Sequence, residues 1–411
     1  MRIVVTGAGG FIGAPVVRAL RGDGHEVIAA TRAEMDLAKP DADRWRRTLA
    51  GADVLVNCAG LFGGAQQHAV NTTGAIELFR CALGAGVARI IQLSAIGVED
   101  ELSAFARSKL AADRALMSME VDWVILRPSI VLGPDANGGS ALLRGLAALP
   151  LMPVDARAGD LQVVQLADLI DAIRRLVRPD APARLALDIV GPQRLSFADT
   201  VQALRTWLGW GEAVRVRLPA WLMDVGFWLG DVAAWLGWST PIRSDARAEL
   251  TRGGVGDAAV WARATGVQPT GLTEALAPKS ASAQERLYAA CYFLPPLVIG
   301  VTAIFFIETG VASLTFGYGI GVELLERGGL GALSGPSVIA GGLADIVTGF
   351  AILWRRTVKL GLYAAIAVSL FYFVAGTLLL PELWLDPIGP MMKIWPLIVL
   401  NVVGLAMVRD R

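Results

Sequence analysis

Met1-Arg-Ile-Val-Val-Thr-Gly-Ala-Gly-Gly-Phe-Ile-Gly13 is the stretch whose reading decides the fold. A short apolar strand, Ile3 to Val5, runs into Gly7, Gly10 and Gly13, and a helix-forming segment follows. That order suits a backbone that must approach a pyrophosphate at a helix N-terminus, where amide groups and the helix dipole favour negative charge. Glycine spacing alone is a weak signal; strand, turn and helix in register make a strong one. With the strand beginning at residue 3, the expectation is that no signal peptide precedes it.

Working outward, Glu26 to Thr31 reads as a second strand ending at Arg32. In a dinucleotide fold the residue here meets the adenosine ribose: an acid selects the free 2′-hydroxyl, an arginine accommodates a 2′-phosphate. Arg32 therefore favours NADP(H) over NAD(H), and Asp36-Leu37 follows where the adenine edge belongs. A third apolar run, Asp53 to Val56, leads into Asn57-Cys58-Ala59-Gly60, and a fourth, Arg89 to Leu93, ends at Ser94. Strands alternating with helical stretches predict an α/β fold, a Rossmann-type doubly wound parallel sheet with ligands at the carboxyl ends of its strands.

Composition separates this half from the rest. The 411 residues carry no net charge, which removes the electrostatic case for nucleic acid. Mean hydropathy of +0.53 with 54% apolar residues is too high for a wholly soluble chain, and the excess lies after about residue 280. Three scattered cysteines and two histidines point to neither a disulfide framework nor a metal site.

Four apolar blocks approach the ~20 residues that a bilayer core requires, at about 286–307, 336–354, 360–380 and 391–408. Arg355, Arg356 and Lys359 lie between the second and third, and Arg409 and Arg411 follow the fourth; the other loops are mostly acidic. The positive-inside rule then expects a multi-pass protein of a bacterial inner membrane, with both termini and the nucleotide domain cytoplasmic. Asp345, after Gly341-Gly342, stands near the middle of the second block, as a ligand or pathway group or as a lock between helices. Trp221, Trp228 and Trp235 recur every seventh residue late in the soluble half, on a core helix or on one lying against the bilayer. The expected domains are 1–278 for nucleotide binding, with a substrate subdomain mainly in 180–278, a linker at 279–285, and an all-α four-helix membrane bundle at 286–411.

Thr6-Gly7-x-x-Gly10-x-x-Gly13, Asp36-Leu37, Asn57-Cys58-Ala59-Gly60, Asn71, Ser94, Lys109 and Arg127-Pro128-Ser129 together resemble the extended or atypical branch of the short-chain dehydrogenase/reductase superfamily, the NAD(P)-dependent epimerase/dehydratase-like enzymes. Gly191-Pro192 and Leu272 to Leu276 look like that branch's C-terminal subdomain. The resemblance implies a cofactor site of Gly7, Gly10, Phe11, Ile12, Gly13, Arg32, Asp36, Leu37, Cys58, Ala59, Gly60, Lys109 and Pro128. The membrane block, with its Gly-Gly-Leu-Ala-Asp segment, is similar to the DoxX-like family.

The family's catalytic set is Ser, Tyr and Lys, with tyrosine four residues before lysine so that both face the cofactor. This chain reads Phe105-Ala-Arg-Ser-Lys109: it keeps Ser94 and Lys109, and Phe105 replaces the phenol. All five tyrosines lie at residue 288 or beyond. Lys109 is one of five lysines against thirty-two arginines, which singles it out. Ser94, Ser103 or a water is left to relay a proton, unless the acceptor needs none, as with a quinone-like molecule. The expected function is a membrane-anchored NADP(H)-dependent oxidoreductase acting on a hydrophobic small molecule or a quinone-like acceptor. The alternative is a non-catalytic NADP(H)-binding redox sensor or assembly module with a membrane-protein partner.

Overall fold

The computed structural model describes every residue except 239, 241, 279 and 409–411. Arg409 and Arg411, used above for orientation, therefore lie outside the described residues. The chain divides into two compact units, one of Met1–Val232 with Ser239–Ala290, the other of Ala233–Trp238 with Cys291–Arg411.

In the first unit, β1 (Arg2–Thr6), β2 (Glu26–Ala30), β3 (Val54–Asn57), β4 (Arg89–Leu93) and β5 (Asp122–Pro128) form a parallel sheet. Two short pairs follow, β6 (Val131–Leu132) with β8 (Val164–Gln165), and β7 (Leu151–Val154) with β10 (Val214–Arg217). Between them in sequence, β9 (Leu185–Ile189) completes the main sheet, whose order is β2-β1-β3-β4-β5-β9. Sequence placed β9 in the substrate subdomain; it pairs instead with β5, Val124 against Leu185 through Pro128 against Ile189.

Alternation along the strands builds the core. Ile3, Val5, Val56, Ile91 and Val124 face one side, and Val4, Leu55, Ile90 and Ile125 the other. Side chains on successive strand residues point to opposite faces, so continuous apolar strands require both faces to be covered. One face takes α1 (Gly13–Gly22), the other α2 (Ala42–Leu49), α3 (Ala75–Gly84) and α4 (Ala104–Met117). The subdomain core combines α5 (Gly138–Ala148) and Met152 with α7 (Phe197–Trp207), and the first face also holds Leu169 and Ile173 of α6 (Leu166–Leu176). The subdomain thus draws on residues well before 180. Next come α8 (Ala220–Trp235), α9 (Ser244–Arg252), α10 (Ala258–Thr265), α11 (Leu272–Leu276) and α12 (Ala283–Cys291).

In the second unit, α13 (Leu294–Leu314), α14 (Tyr318–Arg327), α15 (Ser334–Leu353), α16 (Val358–Leu379) and α17 (Ile394–Met407) follow one another. Among the described residues, three helical stretches, Ala283–Leu314, Gly331–Leu353 and Val358–Leu379, are long and apolar enough to cross a membrane. The expected fourth is shorter: α17 has 14 residues, about 21 Å at ~1.5 Å per residue, against a hydrocarbon core of ~30 Å. The first residues of the expected block, 391–393 with Lys393 among them, form a turn, and the helix starts only at Ile394. Small residues let the helices approach, Gly310 against Gly342 and Gly349 against Ala303. Asp345 is buried and hydrogen-bonded to Tyr372, which ties α15 to α16.

One close approach fixes how the turn before α3 meets the segment after β2. A Cβ on Gly74, the residue preceding α3, would strike the backbone carbonyl of Leu37, whereas one on Gly84, the last residue of α3, would meet open space. Gly74→Ala should destabilise the soluble unit by about 1–3 kcal/mol. Gly84→Ala should be neutral or stabilising, by up to about 1 kcal/mol. Thermal unfolding of the two full-length variants in detergent checks the pair.

Candidate functional site

The site is assembled where β1, β3 and β4 end. Gly7 has φ of +64°, and a Cβ there would lie 2.8 Å from the Ala59 amide nitrogen. The Gly10 amide closes the turn by donating to the Gly7 carbonyl at 2.9 Å, and a side chain on Gly13 would strike that same carbonyl. Helix α1 then begins with Ile12 at its N-cap, no side chain capping it and no acid in its first turn. The Ala14 amide donates to the Gly10 carbonyl at 3.0 Å and Pro15 has no N–H, so the Gly13 amide and the positive end of the helix dipole are what this uncapped N-terminus offers an anionic ligand. Phe11 and Ile12 are half-buried beside it.

Beneath this edge a polar rung joins three strands: Thr6 Oγ1 donates to Asn57 Oδ1, and Asn57 Nδ2 donates to Gln92 Oε1 at 2.7 Å. Asn57 Oδ1 also accepts from the Ala59 amide at 3.2 Å, which sets the start of the Cys58-Ala59-Gly60 loop. Asn71 fastens the loop's far end, donating to the Leu61 carbonyl at 2.8 Å and to Ser108 Oγ at 3.1 Å while accepting from the Leu61 amide. At the end of β2, Arg32 is exposed. Asp36 Oδ1 accepts from the Ala38 amide at 3.0 Å, and Leu37 is buried. Pro128, at the end of β5, is half-buried and its carbonyl accepts from the Ile96 amide.

Helix α4 brings the chemistry. Ser103 Oγ caps it by accepting from the Ala106 amide, and its proton goes to Glu249 Oε1 at 2.6 Å. Ser103 thereby links the start of α4 to α9. Lys109 is buried, its Nζ donating to the Leu93 carbonyl at 2.9 Å and reaching the Ala59 carbonyl at 3.5 Å. Gly60 makes room for it, since a Cβ there would lie 2.7 Å from Nζ. One turn on, Asp113 is buried and accepts from Ser94 Oγ at 2.7 Å, with Arg127 Nε 3.5 Å away. Phe105 stands a turn before Lys109, and its ring packs on Phe62 with centroids 4.8 Å apart.

Asp113 is the group that sequence reasoning missed. Its signal was available: a carboxylate at i+4 from Lys109 shares that residue's helix face. Burial raises the Asp113 carboxyl above its ordinary range, opposed by the Ser94 hydrogen bond and by the Arg127 and Lys109 charges. Burial pushes the Lys109 ammonium down to about 8, against the pull of Asp113. The Cys58 thiol is pushed up to about 12 by burial, so it is an inert neighbour rather than a nucleophile.

The Lys109 shift has a definite sign. A ligand whose oxygens accept from the Lys109 ammonium favours its charged form and raises its pKa, so affinity is full below the free protein's value near 8 and falls as pH rises through it. Nucleotide titrations between pH 6.5 and 9.5 should show that fall in the wild type. Lys109→Met should bind more weakly throughout, with a flat profile.

Comparison with known proteins agrees with this geometry. Residues 3–149 match the NAD dependent epimerase/dehydratase family, and residues 303–402 match the DoxX-like family. Over 169 residues the chain is 32% identical to a dTDP-4-dehydrorhamnose reductase of Mycolicibacterium smegmatis, covering 36% of this chain and 51% of that protein. Over 185 residues it is 29% identical to a ceramide reductase of Caulobacter vibrioides, covering 40% and 57%. The chain thus spans about half the length of these curated relatives. Among solved structures, the UDP-glucose 4-epimerase of Thermotoga maritima with UDP-glucose aligns over 72% of this chain and 100% of its own, at 17% identity and a TM-score of 0.52. The dTDP-4-dehydrorhamnose reductase of Bacillus anthracis in complex with NADP aligns over 67% and 96%, at 13% identity and a TM-score of 0.52. At those identities the likeness is one of fold. An epimerase/dehydratase-type, NAD(P)-binding domain is joined here to a DoxX-like membrane domain.

Proposed function

We propose that this chain is a membrane-anchored, NADP(H)-dependent oxidoreductase of short-chain dehydrogenase type, acting on a hydrophobic or membrane-resident substrate. The observation that carries the reading is the grouping of Ser94, Asp113 and Lys109 at the edge where the glycine turn opens. The Gly7 turn and the uncapped α1 fit a pyrophosphate, and Arg32, exposed at the end of β2, fits a 2′-phosphate. Lys109 would hold the nicotinamide ribose. A ceramide reductase among the relatives, named for a lipid, supports reduction of an apolar molecule. Arg355 and Arg356, between α15 and α16, with Lys359 in the first turn of α16, support a cytoplasmic nucleotide domain in a bacterial inner membrane.

When bound, the nicotinamide supplies or accepts the hydride. The chain's own task is then the proton. With Phe105 in the tyrosine's position, Ser94 would give its proton to the substrate oxygen as charge develops there. Asp113 would replenish it: burial favours the neutral acid, which can donate to Ser94 Oγ and turn that hydroxyl's proton outward. A second reading, a nucleotide-binding redox sensor or assembly module, is favoured by the Phe62–Phe105 stack, which places an inert ring where the phenol would stand.

Binding and turnover of the detergent-solubilised protein separate the two. NADPH should bind more tightly than NADH, and Arg32→Glu should reverse the order. The wild type should oxidise NADPH slowly with hydrophobic carbonyls or quinones, and Ser94→Ala and Asp113→Asn should lower that rate. Phe105→Tyr should raise carbonyl reduction, by up to the ~10²–10⁴-fold that general acid catalysis contributes. Nucleotide binding without wild-type turnover would leave the sensor reading; no binding would end both.

A further inference from the structure

Helix α8 carries an apolar face that the fold leaves uncovered. Phe227 and Gly230 mark its buried side, Gly230 lying against the Ile242 carbonyl with no room for a side chain. Asp224 and Asp231 flank that side, and both are satisfied. Asp224 accepts from Arg157 at 3.1 Å and faces Arg247 at 3.0 Å; Asp231 accepts from the Ser244 hydroxyl and faces Arg243 at 3.6 Å. On the outer side, Trp221, Trp228 and Trp235 are 66%, 61% and 74% exposed, with exposed Leu222, Val225 and Leu229 beside them. A seven-residue repeat drifts only ~20° per step on an α-helix, so the three indoles form one stripe. Each offers roughly 150–250 Å² of surface, most of it left unburied in water. An aqueous surface has no use for such a stripe.

The end of the same helix says which medium it suits. Residues 233–238 belong to the second unit, and there Trp238 Nε1 donates to the Leu353 carbonyl at 2.7 Å. The Arg355 guanidinium lies 5.3 Å from the Trp238 ring centroid, and the Arg355 amide donates to the Leu236 carbonyl at 3.0 Å. Trp235 meets Trp354 edge-on at 5.8 Å. Leu353 is the last residue of α15, one of the stretches of spanning length, and Arg355, Arg356 and Lys359 follow it. Tryptophans and cations at the end of a spanning helix are the chemistry of the headgroup level.

We propose that the outer face of α8 lies in the headgroup–acyl boundary of the bilayer that α15 enters, anchored by Trp221, Trp228 and Trp235. The partner is lipid, and its recognition is apolar: Ala220–Trp235 contains no lysine or arginine, so contact is independent of anionic lipid and of salt. The proposal does not depend on turnover at the nucleotide site.

Nitroxide labels at Val225→Cys and Leu229→Cys test it, in the full chain with native cysteines replaced by alanine, reconstituted into phosphatidylcholine vesicles with and without phosphatidylglycerol. Both labels should be accessible to oxygen and shielded from aqueous nickel chelate, their accessibility ratio rising several-fold over that of a label at exposed Glu212, equally in both vesicle types. Free access to the nickel chelate would overturn the proposal. Shielding from both reagents would also overturn it, since protein, a second copy or another chain, would then cover the face. A second readout keeps the native cysteines: tryptophan quenching by shallow brominated lipids should fall in the Trp221→Phe, Trp228→Phe, Trp235→Phe triple variant. Unchanged quenching there would count against it.

Discussion

Backbone closeness at the carboxyl edge of the sheet is the constraint on which the nucleotide unit depends. Gly7, Gly13 and Gly60 each stand where a Cβ would meet a carbonyl, an amide or the Lys109 ammonium. The reason is geometric: a turn tight enough to aim a helix N-terminus at an anion brings the ends of β1 and β3 within contact of each other. The Thr6–Asn57–Gln92 rung then locks the three strand ends at one level. Burial of the alternating apolar residues holds the sheet, but these few polar and glycine contacts decide where its edge lies.

The chemistry at that edge is a family arrangement with one part exchanged. Lys109 remains, held by two backbone carbonyls, and Ser94 remains, held by Asp113. What is lost at Phe105 is a proton, while the ring and its packing persist against Phe62. Under the function proposed above, proton supply would fall to this hydroxyl–carboxyl pair, whose carboxyl burial raises above its ordinary range.

Much of this was legible in the sequence because it is local. The glycine turn, the strand alternation and the Phe105-to-Lys109 spacing are short-range patterns, and their periods encode their geometry. What was illegible depends on distant partners. Leu185–Ile189 fell within the expected substrate subdomain, and nothing in its residues says that it pairs with β5. Ser103 donates to Glu249, far along the chain. Asp113 could have been found from its i+4 spacing to Lys109, had the helix face been followed one turn further. In the membrane half hydropathy found the apolar blocks but not where backbone breaks shorten them, so the fourth falls below spanning length as α17.

Lys109 also carries a consequence for the life of the molecule. An ammonium buried beside carbonyls, with its pKa pulled down to about 8, is a charge that the folded chain keeps at a cost. A ligand that brings negative or hydroxyl oxygen to it relieves that cost, and ligands bound only by the native state add to stability. If the proposed nucleotide meets Lys109, the empty protein is the more perishable form. Where quality-control proteases sample opened chains, the amount of this protein in a cell would follow the supply of its nucleotide, a form of bookkeeping that requires no regulatory site.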